Sequence, residues 1–457
     1  MTTKDKNQER MLSHLLGSVA ALGRKTISGI ICSLDQQKQD WTSHYRLYSK
    51  GRCDPESGFR EVLRTIVQRL CKGTAVITAM DDTLVKKSGK KIRGVKHYRD
   101  PLGPKFHTNL VRSQRFIEVS ACVSEGSAAM RMVPILLRDA PSAHKPSKKA
   151  SEQEWCEYRE QQKEHNLSSF GVEGLKHVRR VLDECGQYDR PLWVGVDGSY
   201  TNRTVLRKKP ERTDLVGRIR KDAKLYYVPT VGHGNRIYGA RTPTPEQLRT
   251  DSTIPWQEVE FDFNGRKHHL RVKTLENVRS PMLGRPALKV VVVAPLGYRL
   301  RKGSKRLYRK PVYLGCTNPE LPIVDILKVF LSRWGIEENF RDEKTVIGLG
   351  EAQVRNESSV ERVPQLMALA YALLLLAGVQ AYGVSGVPQV TDPAKWYANP
   401  QKNCASTEDL IRELRQELWA EELATDNTDH FVTPPKDVTK QAVSHPTLRS
   451  SMLNARS

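Results

Sequence analysis

The sequence has no Cys-x-x-Cys pair, and no His-x-x-x-His or Cys-x-x-His cluster accompanies its eight cysteines at 32, 53, 71, 122, 156, 185, 316 and 404. Structural zinc needs clustered ligands of that kind, so the spacing argues against a zinc-stapled fold and reduced, mostly buried thiols are expected. Nothing marks one cysteine out as the nucleophile of a Cys–His pair. A phosphate loop is missing too: Gly89-x4-Gly94 is followed by Val95-Lys96, which breaks the pattern. No internal repeat is present. Leu366–Val379 is almost wholly apolar, but its 14 residues fall short of the roughly 18–20 that span a bilayer, so it reads as a buried helix. At the start, Lys4, Lys6 and Arg10 precede an apolar stretch, Met11–Leu22. Asp5 and Glu9 spoil the charged part of a signal peptide, His14 and Ser18 the apolar part, and Leu12, Leu15, Leu16 and Val19 keep helical spacing. The expectation is a cytoplasmic protein with no membrane partner.

The chain is also short of negative charge. Lys and Arg number 74 against 51 Asp and Glu, giving +23 over 457 residues and a pI near 9.7. With 38% hydrophobic residues the chain folds rather than remaining disordered, and its length allows two or three domains. A surface this basic wants a polyanion, and nucleic acid is the leading partner. Three runs concentrate the charge. Lys86–Arg115 holds ten basic residues and one acid, Arg203–Lys224 nine against three, and Arg299–Lys310 seven with none. The first two begin just after Asp81 and Asp197, each at the end of an apolar strand pattern.

Residues 1–72 read as four helices: Gln8–Leu22, Arg24–Cys32, Trp41–Ser49 and Gly58–Leu70. Arg24, Lys25, Arg46, Lys50 and Arg52 lie on or between them, so this N-terminal helical domain is either a DNA-binding unit or a packing domain with a solvated basic face. From 73 to 228 the pattern is a mixed α/β core: strands at Ala75–Met80, Arg115–Val123 and Arg131–Leu137, a helix at Ser168–Cys185, and a strand at Pro191–Val196 ending on Asp197. Short β-rich runs over 229–314 predict an inserted β subdomain. Residues 315–384 hold one long helix, Ile323–Ile347, and the buried helix near Val363–Val379. Residues 385–457 predict one acidic helix, Ser406–Leu423, and a mobile tail in the last thirty residues.

At about 100° per residue, Arg333, Glu337 and Lys344 fall within roughly 40° on the long helix, with Phe330 within about 60°. Alone, this spacing describes an ion pair with a neighbouring Lys. With its context it resembles more. Arg333-Trp334-x-Ile336-Glu337, with Lys344 seven residues after Glu337, is similar to the glutamate helix of bacterial insertion-sequence DDE transposases. The branch is the one marked by Tyr-x2-Arg-x3-Glu-x6-Lys, the insertion sequence type 4 superfamily. Phe330 stands where that branch has Tyr, keeping the ring and losing the hydroxyl. Asp81-Asp82-Thr83 resembles the family's first Asp-x-Thr/Ser, and Val196-Asp197-Gly198-Ser199-Tyr200 its second aspartate. The β-rich block between Asp197 and Glu337 sits where this branch carries an insertion.

The resemblance implies a ribonuclease-H-like catalytic core, a mixed sheet flanked by helices, with catalytic and metal-binding Asp81, Asp197 and Glu337. It implies two Mg²⁺ ions, with Mn²⁺ able to substitute, and phosphate contacts from Arg333 and Lys344. The implied partners are terminal inverted repeats and target DNA, bound by a homodimer associated with the bacterial nucleoid. The chemistry agrees, since in-line phosphodiester displacement uses hard cations held by carboxylates on both sides of the phosphorus. Adjacent strand residues point to opposite faces, so only one of Asp81 and Asp82 enters the site; family spacing to Thr83 favours Asp81. Trp256 reads either as core or as a base-stacking residue. Two rivals stay open: a metal nuclease or inactive transposase remnant, and a basic DNA-binding protein without enzymatic activity.

Overall fold

The computed structural model describes residues 3–100, 103–104, 106–107, 109–229, 236–301, 303–388, 404–424, 445–453 and 455. Four N-terminal helices, α1 (Thr3–Ala20), α2 (Ile27–Ser33), α3 (Thr42–Ser49) and α4 (Pro55–Thr65, continuing as a π turn to Leu70), match the expected four. Thr26 caps α2 through Gly29 N–H, and Asp54 caps α4 through Ser57 N–H with Pro55 in its first turn. Lys25, expected among the basic surface residues, turns inward instead, its ammonium donating to Ala21 C=O.

A single sheet organises the rest. Its strands are β1 (Val76–Lys86), β2 (Lys96–Arg99), β3 (Leu110–Glu125), β4 (Ala129–Asp139), β5 (Leu192–Val196), β6 (Thr213–Arg218), β7 (Tyr226–Tyr227), β8 (Gln257–Phe263), β9 (Arg266–Arg279) and β10 (Ala287–Val293). A separate ribbon, β11 (Gly297–Tyr298) and β12 (Leu307–Tyr308), precedes the last strand, β13 (Val312–Cys316). β4, β3 and β1 pair antiparallel, and β1, β5 and β6 pair parallel. That mixed order, with helices on both faces, is consistent with a ribonuclease-H-like fold. β1 runs on through Asp81 and Asp82 to Lys86 rather than ending at Met80, because β3 pairs with it along that whole length.

The strands of 229–314 do not sit apart. β13 pairs antiparallel with β6, then β10 with β13 and β9 with β10, so they extend the same sheet to eleven strands. Asn264 and Gly265, at φ 51° and 68°, close the β8–β9 hairpin with the two left-handed residues a type I′ turn demands.

Between strands lie α5 (Glu152–Glu164), α6 (Leu167–Glu184), α7 (Arg203–Lys208) and α8 (Pro245–Thr250). The long helix expected at 323–347 is two segments, α9 (Ile323–Ser332) and α10 (Trp334–Thr345), joined through Arg333. α11 (Glu357–Tyr382) is long and apolar enough to cross a membrane, yet it is a core helix, mostly buried against β4, α1, α3 and α4. Its packing joins the N-terminal helices and the sheet in one apolar core. α12 (Thr407–Ala424) and α13 (Leu448–Leu453) follow. Of the expected tail, 425–444 lies outside the described residues, while α13 packs on α2 with Ser450 Oγ donating to Ser33 C=O.

Candidate active site

Strand alternation decides which carboxylate faces which layer. Ala79 packs with Ile336 and Phe340 of α10, whereas Met80 lies under Gly171 of α6. Asp81 therefore shares the α10 face, and Asp82 the α6 face. Contacts agree with that assignment. Arg333 Nη1 donates to Asp81 Oδ2 at 3.0 Å and its Nη2 to Glu337 Oε1 at 2.7 Å, so one guanidinium links both carboxylates. Asp82 instead accepts from the Tyr200 hydroxyl at 3.1 Å and pairs with Arg115 Nε at 3.4 Å.

Asp197 comes from the neighbouring strand. β1 and β5 run parallel with Met80 opposite Val196, which brings Asp81 and Asp197 to corresponding positions one step further on. Ala79 lies opposite Gly195, whose missing side chain leaves room for the helix: a Cβ there would stand 2.6 Å from Val329 C=O and 3.3 Å from Arg333 Cβ. Gly195 thus lets the α9–α10 junction descend onto β5 and delivers Arg333 to Asp81.

Electrostatics mark Asp81. Burial pushes its carboxyl up to about 7, with the charges of Asp82 and Asp197 adding to the rise and Arg333 opposing it. Asp82 is raised as well, chiefly by burial, against the pull of Arg115. Behind the site lies a second acidic pair. Glu118, directly across the β1–β3 ladder from Asp81, is fully buried and accepts from Ser120 Oγ and from Asn339 Nδ2 at 3.3 Å. Burial lifts Glu118 to about 7 and lifts its neighbour Glu343 well above the usual carboxylate range, with the charge of Glu118 adding to the second rise. The Tyr371 hydroxyl donates to Asn339 Oδ1 at 3.2 Å, so this network fastens α10 to β3 and α11.

The sequence-derived residues are therefore unevenly gathered. Asp81, Arg333 and Glu337 touch in series, and Asp197 stands beside Asp81. Lys344 is exposed further along α10, 5.7 Å from the Phe340 ring. Phe330 is half-buried, with the Arg218 guanidinium 5.5 Å from its ring. Trp256 packs partly buried against the core, with the Lys273 ammonium 4.8 Å away. In kind, the donors suit a hard divalent cation, being carboxylate oxygens alone. In arrangement they are open: among the described residues no group of three His, Cys, Asp or Glu side chains is gathered to hold a metal ion. Arg333 bridges Asp81 and Glu337 in that place. Sequence reasoning missed Glu118 and gave Arg115 and Tyr200 no part in the site; for Glu118 the one available signal was an acid inside the otherwise apolar Phe116–Val123 run.

A family model described as DDE superfamily endonuclease matches residues 1–281, more than half of the chain. The chain belongs to the DDE superfamily endonuclease family. The match takes in both aspartate strands of this DDE-family chain and ends before Arg333 and Glu337. Membership supports an enzyme of the nuclease or transposase type that acts on DNA. No curated protein matches the chain.

Proposed function

We propose that this DDE-family chain is a DNA transposase of the insertion-sequence branch marked by Tyr-x2-Arg-x3-Glu-x6-Lys. It cleaves phosphodiester bonds at the ends of its mobile element and joins the freed 3′-hydroxyls to target DNA. The observation that supports this most is the pairing of Asp81 and Asp197 at corresponding positions of parallel strands, facing a helix that carries Arg333 and Glu337. Asp81, Asp197 and Glu337 would hold Mg²⁺. When bound, two such ions activate the attacking oxygen and stabilise the leaving one. The chain's own groups do the rest. Arg333 donates to both Asp81 and Glu337 in the free protein, and a phosphate between the strands and α10 offers its guanidinium a bidentate anion in their place. Lys344 adds a point charge further along the same helix.

The exposed Arg24, Arg46, Lys50 and Arg52 of the N-terminal helices would meet the terminal inverted repeats, and a dimer would bring two ends together in the bacterial nucleoid. One observation favours a second reading, an inactive remnant: Phe330 lacks the hydroxyl of its branch. The test is purified protein with Mg²⁺ and a plasmid carrying the gene's own flanking DNA. Cuts at defined ends followed by insertion products support the transposase; cuts without joining support a nuclease; binding without cuts supports the remnant.

A further inference from the structure

The three basic runs differ in what their cations do. In the first, Lys87 is buried on Gly350 and Ala352 carbonyls, Lys96 donates to Ser142 C=O, and Arg115 pairs with Asp82. In the second, Arg207 donates to Pro281 and Met282 carbonyls, Arg212 pairs with Asp183, and Arg220 with Asp222. Lys86, Lys90, Lys91 and Arg99 of the first run and Arg203, Lys208, Lys221 and Lys224 of the second are exposed without a carboxylate pair among the described residues, but in the third run every described cation is of that kind. Arg299, Arg301, Lys305, Arg306, Arg309 and Lys310 are all exposed, and among the described residues none of them pairs with a carboxylate.

These cations sit on the β11–β12 ribbon, which stands outside the main sheet. Gly297 pairs with Tyr308 and Tyr298 with Leu307, and Arg309 N–H donates to Leu296 C=O below them. Near the tip Ser304 N–H donates to Arg301 C=O at 3.1 Å while Ser304 Oγ accepts from Arg301 N–H at 3.1 Å. Arg306 and Arg309 lie 5.6 Å from the Tyr308 and Tyr298 rings. Leu300 is 74% exposed near the tip and Tyr308 64%. A two-stranded ribbon is marginal in water by itself, and bare aromatic and aliphatic side chains among unpaired cations call for a partner.

Register places the ribbon. Val196 of β5 lies opposite Gly217 of β6, and Arg218 opposite Leu314 of β13. Asp197, Arg218 and Leu314 therefore stand at one level across three neighbouring strands. β13 and β10 continue past that level to Val312 and Val293, and the ribbon begins beyond them. It rises from the same sheet edge as Asp197 and Asp81, with a reach on the order of 20 Å when extended.

We propose that residues 296–310 form an arm that grips duplex DNA running across this edge. Its cations lie on the phosphates, and Leu300, Tyr298 and Tyr308 enter a groove. A groove admits a two-stranded ribbon, and apolar side chains wedge at base steps while Arg reads phosphate and groove edge. The arm rests on the reading that the Asp81–Asp197 edge works on DNA, but its binding is separable from cutting.

The experiment uses the full chain without divalent metal and a 40-base-pair random duplex. Fluorescence anisotropy is read over a range of KCl concentrations. Wild type is compared with a variant carrying Arg299→Gln, Arg301→Gln, Lys305→Gln, Arg306→Gln, Arg309→Gln and Lys310→Gln. A charge-matched control carries Gln at Lys72, Lys148, Lys149, Lys163, Lys176 and Arg180, which are exposed elsewhere. With about 0.9 lost per phosphate contact, the arm variant's log–log salt slope should flatten by roughly 3–5, and the control's by less than about 1. A benzophenone amino acid placed at position 300, which avoids the eight native cysteines, should label the duplex. Equal slopes in arm variant and control, or an unlabelled duplex, overturn the arm. Arm-dependent binding by a protein that never cuts would keep the arm and retire the transposase reading; cutting with an unchanged arm-variant slope would do the reverse.

Discussion

Gly195→Ala tests how the fold delivers the site. The new Cβ would stand 2.6 Å from Val329 C=O, and an ordinary contact is about 3.4 Å, so the helix backbone must retreat by roughly 0.8 Å. Neither wall gives easily: one is helix backbone and the other is Cβ of Arg333, whose side chain is almost fully buried. Overpacking of this kind costs about 1–3 kcal/mol, which urea unfolding resolves as a lower midpoint with unchanged slope. The displaced residue is Arg333, which holds Asp81 and Glu337. A misplacement near 1 Å costs on the order of 10²-fold in rate, so Mg²⁺-dependent nicking should fall by about that factor. Gly73→Ala is the control, since a Cβ there meets only Ala75 C=O, at 3.7 Å. A Gly195→Ala protein that unfolds and nicks DNA like wild type would refute the argument that this glycine admits the helix.

Asp81→Asn should abolish nicking, whereas Asp82→Asn should keep it within about tenfold and cost about 1–2 kcal/mol through Tyr200 and Arg115; paired nicking and unfolding curves distinguish the two. The N-terminal helices should be acid-labile. His14, fully buried, is held down to about 3 mainly by burial, and His44, 2.8 Å away, to about 4, with Arg10 repelling both and Asp40 drawing His44 upward. Both folded values lie below the ordinary imidazole value near 6.5. The unfolded chain therefore takes up protons first, and stability present above pH 6.5 is lost as pH falls toward 4. Between pH 7 and 5 the pair should lose about 2–4 kcal/mol, and His14→Gln should roughly halve that slope in pH-dependent urea unfolding; an unchanged slope contradicts the assignment. Phe330→Tyr should raise end-cutting about two- to tenfold, the worth of one added phosphate hydrogen bond, without moving the melting temperature.

Local pattern was enough for much of this fold, and long-range pairing was where it ended. The four N-terminal helices follow apolar spacing, with side-chain caps on α2 and α4, and both signals are local. The expected strand stops at Met80 because charge follows an apolar run, but pairing from Asp81 to Lys86 is made with β3, some thirty residues away. The 229–314 strands were recognisable as strands, while their union with the sheet depends on the β6–β13 register, which no local pattern encodes. α5 escaped because it buries no residue; its sign was the Ser151–Glu154 capping box. In the site, helical spacing brought Arg333 and Glu337 together, and strand alternation separated Asp81 from Asp82. That Arg333 would bridge Asp81 to Glu337 could not be read from spacing, since it depends on Gly195 and the depth of the helix.

The most direct measurement compares wild type with Glu337→Gln for DNA binding and for Mg²⁺-dependent cutting of the gene's own flanking DNA. Glutamine keeps the shape and a hydrogen-bonding oxygen for Arg333 while removing the charge a cation needs. The account predicts that binding is retained and that cutting falls on the order of 10³-fold or more, as when a group acting in the transition state is lost. Cutting at the wild-type rate by Glu337→Gln would contradict it.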